Sequence, residues 1–183
     1  VPSFADIETT RTALSHLLYE YWVSHEVFRW QWWLSVALLF VPWLVWIRFV
    51  DPRRLFEMLV YASCIGILAS IMDVIGTNLM LWGYRQRLFW FMYTPLLPID
   101  LSIIPVTFTL VYQLCPTWPK FVAVVAIIGI LVSLVEPLFT WLDMYQSYHW
   151  SPLYSIPIYI LLASGAKWGV QRLLSIEAKS RGR

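Results

Sequence analysis

Apolar stretches of about twenty residues follow one another along most of this chain, separated by charged or proline-bearing turns. Beyond Lys120, the run to residue 142 carries one ionisable side chain, Glu136. Four acidic residues interrupt such stretches: Asp73, Asp100, Glu136 and Asp143. An ionisable group at bilayer depth is costly, so each of these needs a partner, water or a purpose. Composition agrees with a membrane class. The 183 residues are 60% hydrophobic and only 13% charged, about half the usual share for a soluble domain, and the mean hydropathy is +0.65. A net charge of +2, with basic residues at segment ends, excludes a nucleic-acid partner.

The spacing predicts an all-α fold, a polytopic membrane bundle of about five transmembrane helices preceded by an amphipathic interfacial helix. Three regions follow: residues 1–29 on the interface, 30–174 in the membrane and 175–183 as a basic cytoplasmic tail. In the first region Ser3 and Asp6 form a capping-box pattern. Leu14, Leu17, Leu18, Tyr21 and Trp22 then recur at helical spacing among polar residues, which suits the lipid interface or a membrane-protein partner. The spans are expected at about 30–49, 55–80, 95–114, 119–142 and 152–174. Residues 83–94 are either a loop with an interfacial aromatic segment or the splayed start of the third span. That span carries Pro95, Pro98 and Pro105, which remove helical hydrogen bonds and require neighbours to satisfy the freed carbonyls. Pro137 is expected to bend or locally open the fourth span.

Trp30, Trp32 and Trp33 face Trp43 and Trp46 across about 24 Å of helix, close to the ~30 Å hydrocarbon core. Most of the twelve tryptophans therefore suit interfacial anchoring. Arg48, Arg53, Arg54, Lys120, Lys167, Arg172, Lys179, Arg181 and Arg183 gather on one side of the predicted topology, against Arg11, Arg29, Arg85 and Arg87 on the other. The positive-inside rule then puts the N-terminus outside and the C-terminus in the cytoplasm. No signal-peptide pattern is visible.

On this topology the four acids fall in the outer half of the membrane, and Asp73, Asp100 and Glu136 come from three different helices. Thr77 follows Asp73 on the same helical face, and Asn78 reaches the same region. Glu136, Thr140 and Asp143 stand at i, i+4 and i+7, and His149 lies just beyond them. Lys and Arg are absent from the outer halves of these spans, leaving Arg85 and Arg87 in the outer loop to fold over and pair with the acids. The alternatives are a network of interhelical hydrogen bonds and a ligand site open to the outer leaflet. Cys64 and Cys115 have no metal spacing and suit buried apolar positions, not a disulfide. No metal-binding, nucleotide-binding or nucleophilic motif occurs, and no cofactor is expected.

The segments DVIGTNLMLWGY (73–84), LLPIDLSIIPV (96–106), PTW (116–118), EPLFTWLDMY (136–145) and YHWSPLYSIPIYI (148–160) together resemble a family of small Trp-rich five-helix membrane proteins. That family belongs chiefly to endospore-forming Gram-positive bacteria and has no characterised activity; the resemblance implies a bacterial cytoplasmic membrane. A remoter likeness is to the lycopene cyclase domain, through Asp73, Gly76, Thr77, Trp82 and Tyr84 and, in part, Pro98 and Asp100; Leu101 stands in the place of that domain's second acid. This likeness implies isoprenoid cyclisation or isomerisation, with Asp100 as acid, Asp73 or Glu136 as stabiliser, and Trp82, Tyr84, Trp90 and Tyr93 as the aromatic wall.

The leading functional expectation is an acidic pocket that binds a lipid, isoprenoid or other amphiphile, or a subunit of a membrane assembly. Its residues are Asp73, Thr77, Asn78, Trp82, Tyr84, Asp100, Glu136, Thr140, Asp143 and His149, with Asp73, Asp100 and Glu136 as catalytic candidates. The alternatives are a cyclase or isomerase and a proton- or sodium-coupled transporter.

Overall fold

The structure, a computed structural model, describes residues 1–94 and 96–181. Pro95, expected to open the third span, and Gly182 and Arg183 of the basic tail lie outside the described residues. The described chain is mainly helical: α1 (Phe4–Tyr21), α2 (Trp30–Phe49), α3 (Leu55–Asn78), α4 (Ile104–Leu114), α5 (Trp118–Trp141) and α6 (Ser155–Arg181). Three segments, Trp30–Phe49, Pro52–Asn78 and Trp118–Trp141, are long and apolar enough to cross a membrane. Ile99–Leu114, where a third span was expected, is a shorter apolar helix. The helix α6 continues past residue 174 without a break to Arg181.

The helix α1 begins as its sequence dictates: Ser3 Oγ accepts from the Asp6 backbone N–H, and Asp6 accepts from the Ser3 backbone N–H at 2.8 Å. None of its residues is buried. A π-helical turn, Trp22–Glu26, carries the chain towards α2. In the bundle, α3 packs on α4 and α6, and α5 packs on α6 and α4. The helix α2 leans on the turn that precedes α4. Small residues let the backbones approach: Ala62, Gly66 and Ala69 on α3, Ala163 and Ala166 on α6, and Gly129 on α5, where an added Cβ would stand 3.4 Å from Ile156 Cα. Met58, Tyr61, Ile65, Phe121 and Val125 fill the core between them.

The prolines act locally. Between Pro98 and Pro105 the chain forms a π-helical turn, Ile99–Ile103. Pro105 has no N–H to offer the Leu101 carbonyl four residues back. Trp43 Nε1, on α2, donates to that carbonyl at 2.9 Å instead. Pro137 lies inside α5 without ending it.

One feature departs from a purely helical expectation. Residues 83–94 do not extend a helix: β1 (Trp82–Tyr84) pairs antiparallel with β2 (Tyr145–Ser147), with Gly83 opposite Gln146. The two loops at this end of the bundle meet, and pairing them satisfies backbone groups that would otherwise lack partners. The tryptophans also serve internally: Trp22 and Trp32 donate to the carbonyls of Arg87 and Leu88, clasping the loop after β1.

At the opposite end, Arg54 forms a double contact with Glu57, and Tyr112 donates to Glu57 at 2.6 Å. Lys167 is buried there and caps the chain after α4, donating to the carbonyls of Cys115 at 2.8 Å and Pro116 at 3.2 Å beneath the ring of Phe121. Cys64 and Cys115 are free thiols.

Candidate functional site

Asp73, Asp100 and Glu136 gather at the ribbon end of the bundle. Asp73 lies just over a turn before the end of α3, Asp100 is in the π-helical turn before α4, and Glu136 is in the last two turns of α5. All three line one cavity of about 120 Å³, together with Trp82, Tyr84, Tyr145, Trp150 and Tyr159.

Asp73 is the most completely partnered. One carboxylate oxygen accepts from Trp82 Nε1 at 2.8 Å and from the Tyr84 hydroxyl at 2.5 Å; the other accepts from the Leu96 backbone N–H at 2.9 Å. A single side chain thus ties α3 to β1 and to the approach to α4. Gly76 makes the arrangement possible, because the Trp82 indole occupies the space where a Cβ would stand. Burial first, and then the carboxyl groups of Asp73 and Asp100, push the Tyr84 phenol well above its ordinary value, so it remains a proton donor.

Asp100 and Glu136 are less well satisfied. Asp100 is 4% exposed and lies against Asp73, yet its Oδ2 is buried without a hydrogen-bond partner. Glu136 Oε2 is also buried without one. Ser155, which accepts from Trp150 Nε1 at 3.1 Å, stands against the Glu136 carboxyl. Burial, and next the nearby Glu136, push the Tyr145 phenol up as well.

A second cavity, of about 320 Å³, adjoins the first. Its walls are Leu38 of α2, Ile103 before α4, and Leu131, Val132, Val135 and Phe139 of α5. Tyr84, Glu136, Tyr145 and Tyr159 border both cavities. No Lys, Arg or His is among the described residues that line either one.

Asp73, Trp82, Tyr84, Asp100 and Glu136 therefore share a cavity, and five other expected site residues stand away from it. Thr77 is buried, but its hydroxyl bonds to the carbonyls of Asp73 and Val74 on its own helix. Asn78 is exposed and donates to the Val74 carbonyl, and exposed Thr140 donates to that of Glu136. Asp143 takes a positive φ of 61° beyond α5 and pairs with Arg85. His149 is exposed, and its backbone N–H bonds to the Leu81 carbonyl. Arg87 turns to Glu26, a residue outside the expected site: the two are buried and stand 2.6 Å apart, with Arg87 over the rings of Tyr21 and Tyr93.

Tyr145, Trp150, Ser155 and Tyr159 are additions to the expected site. Their only signal in the sequence was proximity: each lies within the motifs 136–145 and 148–160. No protein-family model, curated protein or solved structure matches this chain.

Proposed function

We propose that this protein is a membrane-embedded binder of a single amphiphile. The apolar part lies in the larger cavity, between α2 and α5, and the polar head reaches Glu136 and the smaller cavity behind it. The observation that carries this reading is Glu136, which lines both cavities and has a buried oxygen, Oε2, with no hydrogen-bond partner. A buried unsatisfied acceptor costs about 1–3 kcal/mol, and a ligand that donates to it recovers that loss. The larger cavity, at about 320 Å³, falls within the range of small-molecule sites. In this reading α2, α3, the Ile99–Leu114 segment, α5 and the apolar part of α6 are five spans. In the same reading the ribbon end faces the extracytoplasmic side, which the smaller number of Lys and Arg there supports.

Protein purified in mild detergent should retain a tightly held amphiphile, detected by native mass spectrometry and identified after extraction. Val132→Phe, which fills the cleft from α5, should lower its occupancy. Wild type that carries no amphiphile, before or after incubation with a total lipid extract, would overturn the reading.

Isoprenoid cyclisation is a second reading, favoured by the adjacency of Asp100 and Asp73 in a cavity walled by Trp82, Tyr84, Tyr145 and Trp150. Asp100 would deliver a proton to a terminal alkene, aromatic faces would stabilise the carbocation, and a neighbouring carboxylate would remove a proton after ring closure. Expression in lycopene-producing cells tests it. Pigments unchanged by the wild-type protein would rule it out.

A further inference from the structure

Resting on the amphiphile reading above, we infer that the head group is a cationic amine. Three features converge on a positive charge. The first is charge balance: three carboxyl groups line the smaller cavity, and neither cavity is lined by a described basic side chain. Arg85 and Arg87, the nearby cations, are engaged elsewhere, with Asp143 and Glu26. The second is the unused acceptor on Asp100. Asp73 already accepts from three donors, whereas Asp100, which lines the same cavity and is 4% exposed, has an oxygen, Oδ2, that is buried and accepts from none. An ammonium group supplies several N–H donors and accepts nothing, so it matches a site that offers acceptors.

The third is the wall. Trp82 and Trp150 meet edge to face with centroids 4.9 Å apart, and Tyr84 and Tyr145 lie 6.0 Å apart. Tyr159 closes the side towards α6. Aromatic faces beside carboxyl groups attract cations, and the attraction grows when water is excluded. A neutral hydroxyl head uses one acceptor and gains little from the rings. A carboxylate or phosphate head meets three acids and no base.

Four probes of one chain length separate these cases: dodecylamine, dodecyltrimethylammonium, dodecanol and dodecanoate, each added to wild-type protein in nanodiscs and read by native mass spectrometry. Dodecylamine should bind roughly thirtyfold tighter than dodecanol, the factor expected of a desolvated cation–π contact of about 2 kcal/mol. Dodecanoate should bind more weakly than dodecanol. Asp100→Asn and Glu136→Gln should each narrow the gap between amine and alcohol. Dodecyltrimethylammonium, which has no N–H, should bind between amine and alcohol. Equal binding of amine and alcohol overturns the cationic head and leaves the amphiphile reading standing. Failure of all four probes, with no lipid retained on purification, overturns both.

Discussion

Replacing Gly76 with alanine tests the centre of the site with one methyl group. An added Cβ would lie 2.0 Å from Trp82 Cη2, 2.1 Å from Cζ2 and 2.5 Å from Cζ3. Carbon atoms in contact sit about 3.5–4.0 Å apart, so the indole must retreat by roughly 1.5 Å. It has little freedom to do so. Its Nε1 is bound to Asp73 at 2.8 Å, and its face meets Trp150. Displacement loses one hydrogen bond to a charged acceptor, about 1.5–3 kcal/mol, and adds overpacking of about 1–3 kcal/mol. The gain in helix propensity of about 1 kcal/mol offsets part of this. A net loss of about 3 kcal/mol follows, which lowers Tm by roughly 6–12 °C for a chain of this size. Gly165, on α6, is the control, because an added Cβ there meets nothing within 4 Å. Gly165→Ala should leave Tm unchanged or raise it slightly. Circular-dichroism melting in one detergent compares the two, and the indole N–H resonance of Trp82 should move upfield in Gly76→Ala alone. If Gly76→Ala melts with Gly165→Ala, the indole does not rest on that glycine and the site is built differently.

Three further perturbations address separate contacts. Tyr84→Phe removes the 2.5 Å bond to Asp73 and should cost about 1.5–3 kcal/mol, measured by the same melting experiment; Asp73→Asn should cost at least as much, since its amide sets a donor against another donor whichever way it turns. Trp43→Phe leaves the Leu101 carbonyl without its indole donor and should cost about 1–3 kcal/mol, while Trp33→Phe, at an exposed position, should stay within about 0.5 kcal/mol of wild type. At the N-terminus, the backbone N–H and hydroxyl of Ser3 hold the Asp6 carboxyl below its ordinary 3.8. Its contribution is therefore present above pH ~4 and is lost as pH falls through the lower folded value; NMR of the Ser3 and Asp6 amides should show the start of α1 fraying there, and Asp6→Asn should abolish the transition, whereas Ser3→Ala, which keeps the backbone N–H, should only weaken it.

How much of this was legible follows from what each residue costs in a membrane. The helices announced themselves because long apolar runs have few other stable forms. Asp73, Asp100 and Glu136 stood out because a carboxyl group in such a run needs an explanation, and the structure places all three around one cavity. Their partners gave no such signal. Trp82 and Tyr84 entered the expected site only through the remote family likeness; like Tyr145 and Tyr159 they are residue types that a lipid interface favours anyway, so no physical pattern separated a hydrogen-bond donor to Asp73 from an interfacial anchor. The ribbon was equally silent: strands of three residues, Trp82–Tyr84 and Tyr145–Ser147, are too short to show an alternating pattern. The Glu26–Arg87 pair joins the end of the expected interfacial helix to the 83–94 stretch, 61 residues on, and no local pattern links the two. Intramembrane cost therefore reveals acceptors before donors. In this chain the acceptors left over once the donors are found, Asp100 Oδ2 and Glu136 Oε2, are where a ligand has most to contribute.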